Sequence, residues 1–516
     1  MKPLFKKLIF ATLAIGIVVI ASNIYINNFL KNKLENFIQN RLPENMVRTY
    51  DNINLEAFTG TLSISNASLI INNKEDDIKH TYIHVERLKI SDISYWDYLF
   101  NDQIHIGSIS VENPTLTYYQ DKRTPPKDTV RKPLAKIHKP ILVDQVKIIN
   151  TKLAIYEDEK DSTKVYVQNL SIAVEGIKID NKTVLRKIPL DYKHVKAKSD
   201  TAFVKVGPYE NLTVNQFLIE NHTATFEDVQ LKTKYARKEL SNIIRVERDH
   251  YDLSIPTLSI NNFNLGFIDN DRFFTTSRKI IINRPTFDVY RDKLVRDDST
   301  FKPLYARSLR QLPFDLTVDS IAIKDADIKY TERTQAENQG GFVSFKDLNA
   351  DIVHVSNTHE SSEKTELDIK ALFMGQAPLQ VTWTFDVQNE NDSFLFKGEL
   401  DNLDIKRMNE FTEPNLRVHM EGAVHKAYFT IDGNNDHSTT DMRMDYSNFN
   451  VEILKKESDK SRKLLTELAN LVVNHSGKKK DGGFKDGTGN ADRNKTQSVF
   501  NQLWISIQSA LKKIII

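Results

Sequence analysis

One pattern recurs through this chain and restricts what it can fold into. It reads apolar, any, apolar, any, Asn or Asp, any, any, apolar, any, apolar. The first copy is Leu62, Ile64, Asn66, Leu69, Ile71. It returns as Ile109, Val111, Asn113, Leu116, Tyr118 and as Val146, Ile148, Asn150, Leu153, Ile155. Val165, Val167, Asn169, Ile172, Val174 follows, then Phe217, Ile219, Asn221, Ala224, Phe226. Two more copies are Leu258, Ile260, Asn262, Leu265, Phe267 and Ile321, Ile323, Asp325, Ile328, Tyr330. With the polar slot altered, Ile280, Ile282, Arg284, Phe287, Val289 and Met442, Met444, Tyr446, Phe449, Val451 also fit.

Alternation with period two places the apolar residues of a strand on one face. The skipped positions, such as Ser63, Ser110, Lys147 and Ser259, are mostly polar and turn the other face to water. The central Asn or Asp shifts the phase by one residue. Asx side chains bond their own nearby backbone and tolerate turn conformations, so that position predicts a bulge or tight bend. Each copy then forms two short strands joined by a kink, with one side apolar throughout. Any all-β chain alternates, but this many copies sharing one phase-shift position exceed coincidence. Their irregular spacing excludes a fixed-period solenoid and suggests a long antiparallel sheet with variable loops. Few segments could cover its apolar face, residues 236–248 and 304–312 being the clearest short helices. Two arrangements remain open: a sheet folded on another as a sandwich, or a sheet curled into a groove whose lining meets lipid.

The N-terminus gives an address. Lys2, Lys6 and Lys7 precede an apolar stretch that runs from Leu8 to Ala21 and on through Ile24, Tyr25 and Ile26. A bilayer core needs about 20 helical residues, which Leu4 to Ile26 supplies if the lysines reach back to the interface. The basic flank is expected in the cytoplasm and the bulk of the chain outside. A cleaved signal peptide ending near Ala21 is the competing reading. Phe29, Leu30, Leu34, Phe37, Ile38 and Leu42 continue at helical spacing, which favours an anchor (residues 1–28) followed by a helical connector (29–50).

Beyond a repetitive β region at 51–455, residues 456–516 read as C-terminal helices around a disordered linker at 474–495, which holds Lys478, Lys479, Lys480 and repeated Asp-Gly steps. Residues 120–140, with four prolines and several lysines, read as an exposed loop. The last helix carries Val499, Leu503, Ile507 and Leu511 on one stripe beside Phe500 and Trp504. It is amphipathic, so it either caps the sheet or docks on a membrane or partner.

Composition excludes several chemistries. Lys+Arg of 71 against Asp+Glu of 69 leaves a charge of +2, so no global field recruits nucleic acid. With no cysteine, disulfides, thiolate catalysis and Cys-based metal sites are ruled out. His80 and His84 sit in an alternating stretch and read as surface histidines. Asp432, Asn434 and Asp436 loosely suggest a calcium loop but lack its Gly and bidentate Glu, so a hairpin turn is expected. Neither a G-x-S-x-G elbow, an H-E-x-x-H pair nor a Walker motif is present. The expectation is a non-enzyme with no catalytic residues, no metal and no cofactor.

Four stretches carry a family resemblance. The first is Phe58-Thr59-Gly60-Thr61-Leu62 with Ile64, Asn66 and Leu69, following the N-terminal anchor. The strongest runs from Phe394-Leu395-Phe396-Lys397-Gly398-Glu399-Leu400 through Leu403, Asn409 and Pro414. Met420-Glu421-Gly422 and Asp441-Met442-Arg443-Met444-Asp445-Tyr446 continue it. In this the chain resembles the AsmA-like family, relatives of TamB and YdbH among the bridge-like lipid-transfer proteins, over essentially its whole length. The resemblance implies a mainly β protein: an elongated, twisted antiparallel sheet curled into an apolar groove, with an N-terminal transmembrane helix and C-terminal amphipathic helices. It implies a single-pass inner-membrane protein projecting into the periplasm, moving phospholipid in support of outer-membrane homeostasis, with envelope proteins as partners. Leu62, Ile64, Leu69, Ile71, Ile109, Val111, Leu116, Val146, Ile148, Leu153, Ile155, Phe217, Ile219, Leu258, Ile260, Leu265, Phe267, Ile321, Ile323, Ile328, Met442, Met444, Phe449 and Val451 would then line the groove, and Val499, Phe500, Leu503, Trp504, Ile507 and Leu511 would dock on membrane or partner. The alternative is a non-catalytic assembly factor with a closed β-sandwich core.

Overall fold

The computed structural model of the protein describes residues 24–29, 31–36, 43–124, 137–157, 162–358, 363–454 and 484–515. The fold is mainly β, 60% strand and 14% helix, built of twisted mixed sheet. It divides into two compact units: residues 1–205 with 213–221, and residues 206–212 with 222–516.

The first unit holds β1 (Met46–Thr49), β2 (Asn52–Glu56), β3 (Thr61–Asn72), β4 (Lys79–Ile93), β5 (Ile104–Glu112) and β6 (Thr115–Tyr119). It continues with β7 (Ile141–Tyr156), β8 (Thr163–Ile179), β9 (His194–Ser199) and β10 (Thr201–Lys205). β11 (Glu210–Val214) spans the unit boundary and β12 (Gln216–Glu220) lies within the first. Strand β3 pairs antiparallel with β1 and β2 on one edge and with β4 on the other. Strand β4 pairs antiparallel with β5 and β6, and these run parallel to β7. β7 then pairs antiparallel with β8, and β8 with β9 and β10.

The second unit holds β13 (Thr223–Thr233), β14 (Asp249–Ile268), β15 (Arg272–Asn283), β16 (Thr286–Asp292), β17 (Asp315–Arg333) and β18 (Gly341–Ser356). β19 (Thr365–Phe373), β20 (Ala377–Phe385), β21 (Phe394–Asp404), β22 (Val418–Gly433), β23 (His437–Ile453) and β24 (Lys485–Asp492) complete it. All neighbours here are antiparallel except β15 and β16, which run parallel to β17.

The expected antiparallel sheet is therefore mixed. Parallel neighbours require a long crossover. Between β16 and β17 residues 293–314 make such a crossover; between the parallel strands β6 and β7, residues 125–136 of the expected Pro-rich loop lie outside the described residues.

The phase shift has a conformational cause. Each Asn or Asp of the motif stands in the left-handed region: Asn66 at φ 49°, Asn113 at 50°, Asn150 at 57°, Asn169 at 54°, Asn221 at 50°, Asn262 at 50° and Asp325 at 52°. Arg284 adopts it too, at 48°. In the last copy the kink falls on Asn448, φ 52°, two residues after the expected Tyr446. L-residues pay for this conformation, and Asn and Asp pay least.

These kinks line up across neighbouring strands. Asn66 stands opposite Glu86, Glu86 opposite Asn113, and Asn113 beside Asn150. Asn169 faces Asp200, where β9 gives way to β10. Because adjacent strands bend in one row, β3 with β4, and β4 with β5 and β6, keep the same register on both sides of the crease, whereas β7 with β8 slips there. Side chains bridge the crease: Asn66 donates to Asp51 at 2.6 Å, Asn113 to Glu86 at 2.5 Å and Asn169 to Asp200 at 2.8 Å. A second crease crosses the other unit through Asp228, Pro256, Arg284 and Asp325.

The apolar face does continue through the kink. Ile323 and Ile328, on either side of Asp325, pack against one cluster with Ala326, Leu348 and Ala350. Met442, Met444 and Phe449 share another across Asn448.

The ends of the chain depart from expectation. Residues 1–23, most of the expected anchor, lie outside the described residues; 24–29 and 31–36 are helical. Among the described residues no helix is long and apolar enough to cross a membrane. The connector stops being helical by Met46, where β1 pairs with β3. The helix expected at 462–473 lies outside the described residues. Residues 485–492 of the expected disordered linker form β24, which pairs with β23 and is overlain by the C-terminal helix Val499–Ile515. Its glycines serve close approach: a Cβ on Gly487 would sit 2.7 Å from the Ala510 carbonyl. Residues 484–515 thus belong to the second unit's core.

Candidate apolar binding face

Register places the motif copies of the first unit side by side. One row runs Leu55, Leu62, Ile90, Ile109, Val146, Val174, Val195 across β2, β3, β4, β5, β7, β8 and β9. The next runs Ile53, Ile64, Leu88, Val111, Ile148, Ile172, Ala197, Ile219. Beyond the crease come Leu69, Ile83, Leu116, Leu153, Val167, Ala202, and then Ile71, Thr81, Tyr118, Ile155, Val165, Val204. Directly opposed residues on paired strands point to the same face. The alternate row Ser63, Lys89, Ser110, Lys147, Ala173, Lys196 is polar, and Arg87 pairs with Glu112 at 3.2 Å on that side.

Ile53 and Ile64 are buried, whereas Leu62, Leu69, Ile71, Ile109, Val111, Leu116, Val146, Ile148, Leu153, Ile155, Phe217 and Ile219 are half-buried. A strand side chain sandwiched under a second layer would be buried; these have lateral neighbours and keep part of their surface free.

The second unit repeats the design and then closes it. One row reads Phe226, Leu258, Ile282, Ile323, Ala350, Ile369, Val381, Gly398, Phe429, Met442, Gly487. Its neighbour reads Ala224, Ile260, Ile280, Ile321, Ile352, Leu367, Trp383, Phe396, Ile431, Thr440, Gly489. Leu258, Ile260, Ile321, Ile323 and Ile328 are half-buried. Toward β20–β24 two helices cover the face: Tyr305–Arg310, with Leu304 and Ala306 beside Trp383, and Val499–Ile515, with Val499, Leu503, Ala510 and Ile514.

Several expected lining residues are thereby reassigned. Met442, Met444 and Phe449 are buried beneath the C-terminal helix and Val451 packs beside them, so they build core. Leu265 and Phe267 lie past the Asn262 kink at the hairpin end, with Phe267 edge-on to Phe273. Of the expected docking stripe, Val499 and Leu503 are buried and Ile507 and Leu511 pack on the core. Only Phe500 and Trp504 face outward. The helix caps the sheet because its inner face also carries small and polar residues, Gln502, Ser506 and Ala510, that let it approach the backbone of β24; Gln502 donates to Ser438 at 2.8 Å. Sequence pattern missed Leu88, Ile90 and Ile83, which continue the rows on β4 without an Asn at the crease.

Near the edge of the second unit the face ends in charge. Arg291 makes a two-pronged pair with Asp249, both bonds 2.7 Å. The Tyr251 hydroxyl, pushed up to about 12 by burial and by the Asp249 carboxylate, donates to Asp249, and Tyr330 donates to Glu332 at 2.8 Å. This network satisfies itself and presents no free nucleophile.

Among the described residues no group of three or more His, Asp or Glu is placed to hold a metal. His84 is exposed, as expected, but His80 is buried against Thr81 and Tyr118, and burial lowers its pKa. Asn434 and Asp436 form the expected hairpin turn, the Asn434 side chain accepting from the backbone of Asp436 and His437. Compared with known proteins, the chain matches no family model and no curated protein at a significant level.

Proposed function

We propose that this protein binds phospholipid acyl chains along its creased apolar face and passes them along it, anchored by its N-terminus in the inner membrane with its bulk in the periplasm. The observation that carries this reading is the stacking of motif copies in the first unit into continuous, half-exposed apolar rows backed by a polar face. A soluble sheet of this extent with an open apolar side calls for an occupant. The strand length on either side of the crease, about 20 Å, matches an acyl chain in scale. Resemblance to the AsmA-like family points the same way. A structural role, the second reading, is favoured for β20–β24 alone, where helices fill the face.

The test places a photo-crosslinking amino acid at Val111 or Ile148 on the apolar rows and at Ser110 or Lys147 on the polar rows, in the full chain in cells. Phospholipid adducts at the first pair and none at the second are expected. Equal labelling of both faces, or none with no phospholipid in native mass spectra of the extracted protein, sinks the proposal.

A further inference from the structure

The loop between β4 and β5 folds into a short helix, Tyr95–Phe100, of sequence Tyr-Trp-Asp-Tyr-Leu-Phe. Its only acid turns inward. Asp97 accepts from Asn101 at 2.7 Å and Gln103 at 2.9 Å and contacts His105 at 2.9 Å, while its backbone N–H caps onto Ser94. Its apolar residues turn outward: Trp96, Leu99 and Phe100 are 65–69% exposed, and Trp96 and Phe100 lie 4.2 Å apart, centroid to centroid. Lys139 sits 4.0 Å above the Tyr98 ring and donates to its carbonyl. Leaving three large apolar side chains in water costs solubility and gains nothing for folding.

A line of hydrogen bonds ties this knuckle to the N-terminal helix. Ile93, next to the Ser94 cap, donates to the Gly60 carbonyl at 3.1 Å, and Gly60 donates to Ala57. Ala57 in turn donates to the Asn27 side chain at 2.6 Å. Phe58, between them, is as exposed as Trp96. Asn27 immediately follows Ile26, where the apolar N-terminal stretch ends.

We infer that Phe58, Trp96, Leu99 and Phe100 form a docking surface for the bilayer interface, holding the first unit against the membrane that its N-terminus enters. This rests on the membrane-anchored reading above. Two observations commit it to lipid. The patch is fastened to the residue at which an anchor would leave the bilayer, and its composition, Trp and Tyr with Phe and Leu beside a lysine, suits the headgroup boundary. It also lies at the end of β3, β4 and β5 nearest the Leu62, Ile90, Ile109 row, where an acyl chain drawn from the bilayer would first meet the apolar face.

The chain has three tryptophans, of which Trp383 is buried. Full-length protein carrying Trp504→Phe is reconstituted in phosphatidylethanolamine–phosphatidylglycerol vesicles whose lipids are brominated high on the acyl chain. Loss of most of the Trp96 emission is expected, and the added Trp96→Phe change should remove the quenchable signal. Failure of the protein to float with vesicles overturns the anchored reading and this one with it. Flotation with Trp96 unquenched overturns the docking surface alone, whether Trp96 is then open to aqueous iodide or shielded from it by a second copy or another protein.

Discussion

Gly487 lies so close beneath Ala510 that a β-carbon there would also come within 2.7 Å of the Ile514 side chain. The C-terminal helix is thus seated on backbone, and the sheet strand below it has no room to grow a side chain. Gly487→Val should lift the helix and destabilise the second unit by about 1–3 kcal/mol, the usual range for overpacking. Faster amide exchange over 499–515 and earlier tryptic cutting at Lys512 and Lys513 would register it. Unchanged protection would show that the helix is held elsewhere.

At Asn66 the left-handed kink distinguishes side chains by shape. Asn66→Val places a β-branched residue at φ 49° and should cost roughly 1–2 kcal/mol. Asn66→Gly relieves the backbone and loses only the exposed bond to Asp51, so it should be the milder change. Thermal melting of the two variants orders them, and a valine variant as stable as the glycine one would remove conformational preference as the reason for Asn at the crease.

The kinks were legible because only a few residue types tolerate positive φ inside a strand, and Asn and Asp announce themselves. The same pattern also stands at Val343, Phe345, Asp347, Ala350, Ile352, where Asp347 has φ 50°. At Asp228, φ 49°, Ala224 and Phe226 belong to two overlapping copies, which hid the second. Strand direction was not legible, since alternation reads the same parallel or antiparallel. Nor was the closure over β23: Met442 and Ile321 occupy equal places in the motif, and only the distant residues 499–515 make one core and leave the other open. Those residues approach because of Gly487 and Gly489, whose Asp-Gly surroundings look like a linker.

Asp392 has a fully buried side chain between Arg307, 2.9 Å away, and Arg310, 2.7 Å away. It fastens the helix Tyr305–Arg310 to the β20–β21 turn, over Trp383. Removing one member of a buried ion pair leaves the others uncompensated, at about 3–5 kcal/mol. Asp392→Ala should fall near the lower end, because Arg310 keeps its bonds to the carbonyls of Val387 and Asn389. Urea unfolding followed through Trp383 fluorescence gives the loss, and a change under the noise of that measurement would show the pair to be dispensable.

His105 bridges Asp144, at 3.1 Å, and Asp97, at 2.9 Å. Its pKa is raised above the ordinary 6.5 by hydrogen bonds first to Asp144 and then to Asp97. A raised histidine contributes stability that is complete below the unfolded-state pKa and is lost as pH climbs through the folded one. Asp97 runs the other way: bonds from Asn101, Ser94 and His105 hold it below the carboxylate range, so its contribution is present above that range and disappears as pH falls through the depressed value. The Tyr95–Phe100 knuckle should therefore be held most firmly between about pH 4 and 6.5 and loosen first on the alkaline side. Titrating the His105 ring protons by NMR should give a midpoint above 6.5, and Asp144→Asn should lower it. A midpoint at or below 6.5 in the unaltered chain would mean that the two carboxylates do not share a proton-bearing His105, and the knuckle's grip would then not depend on pH in this range.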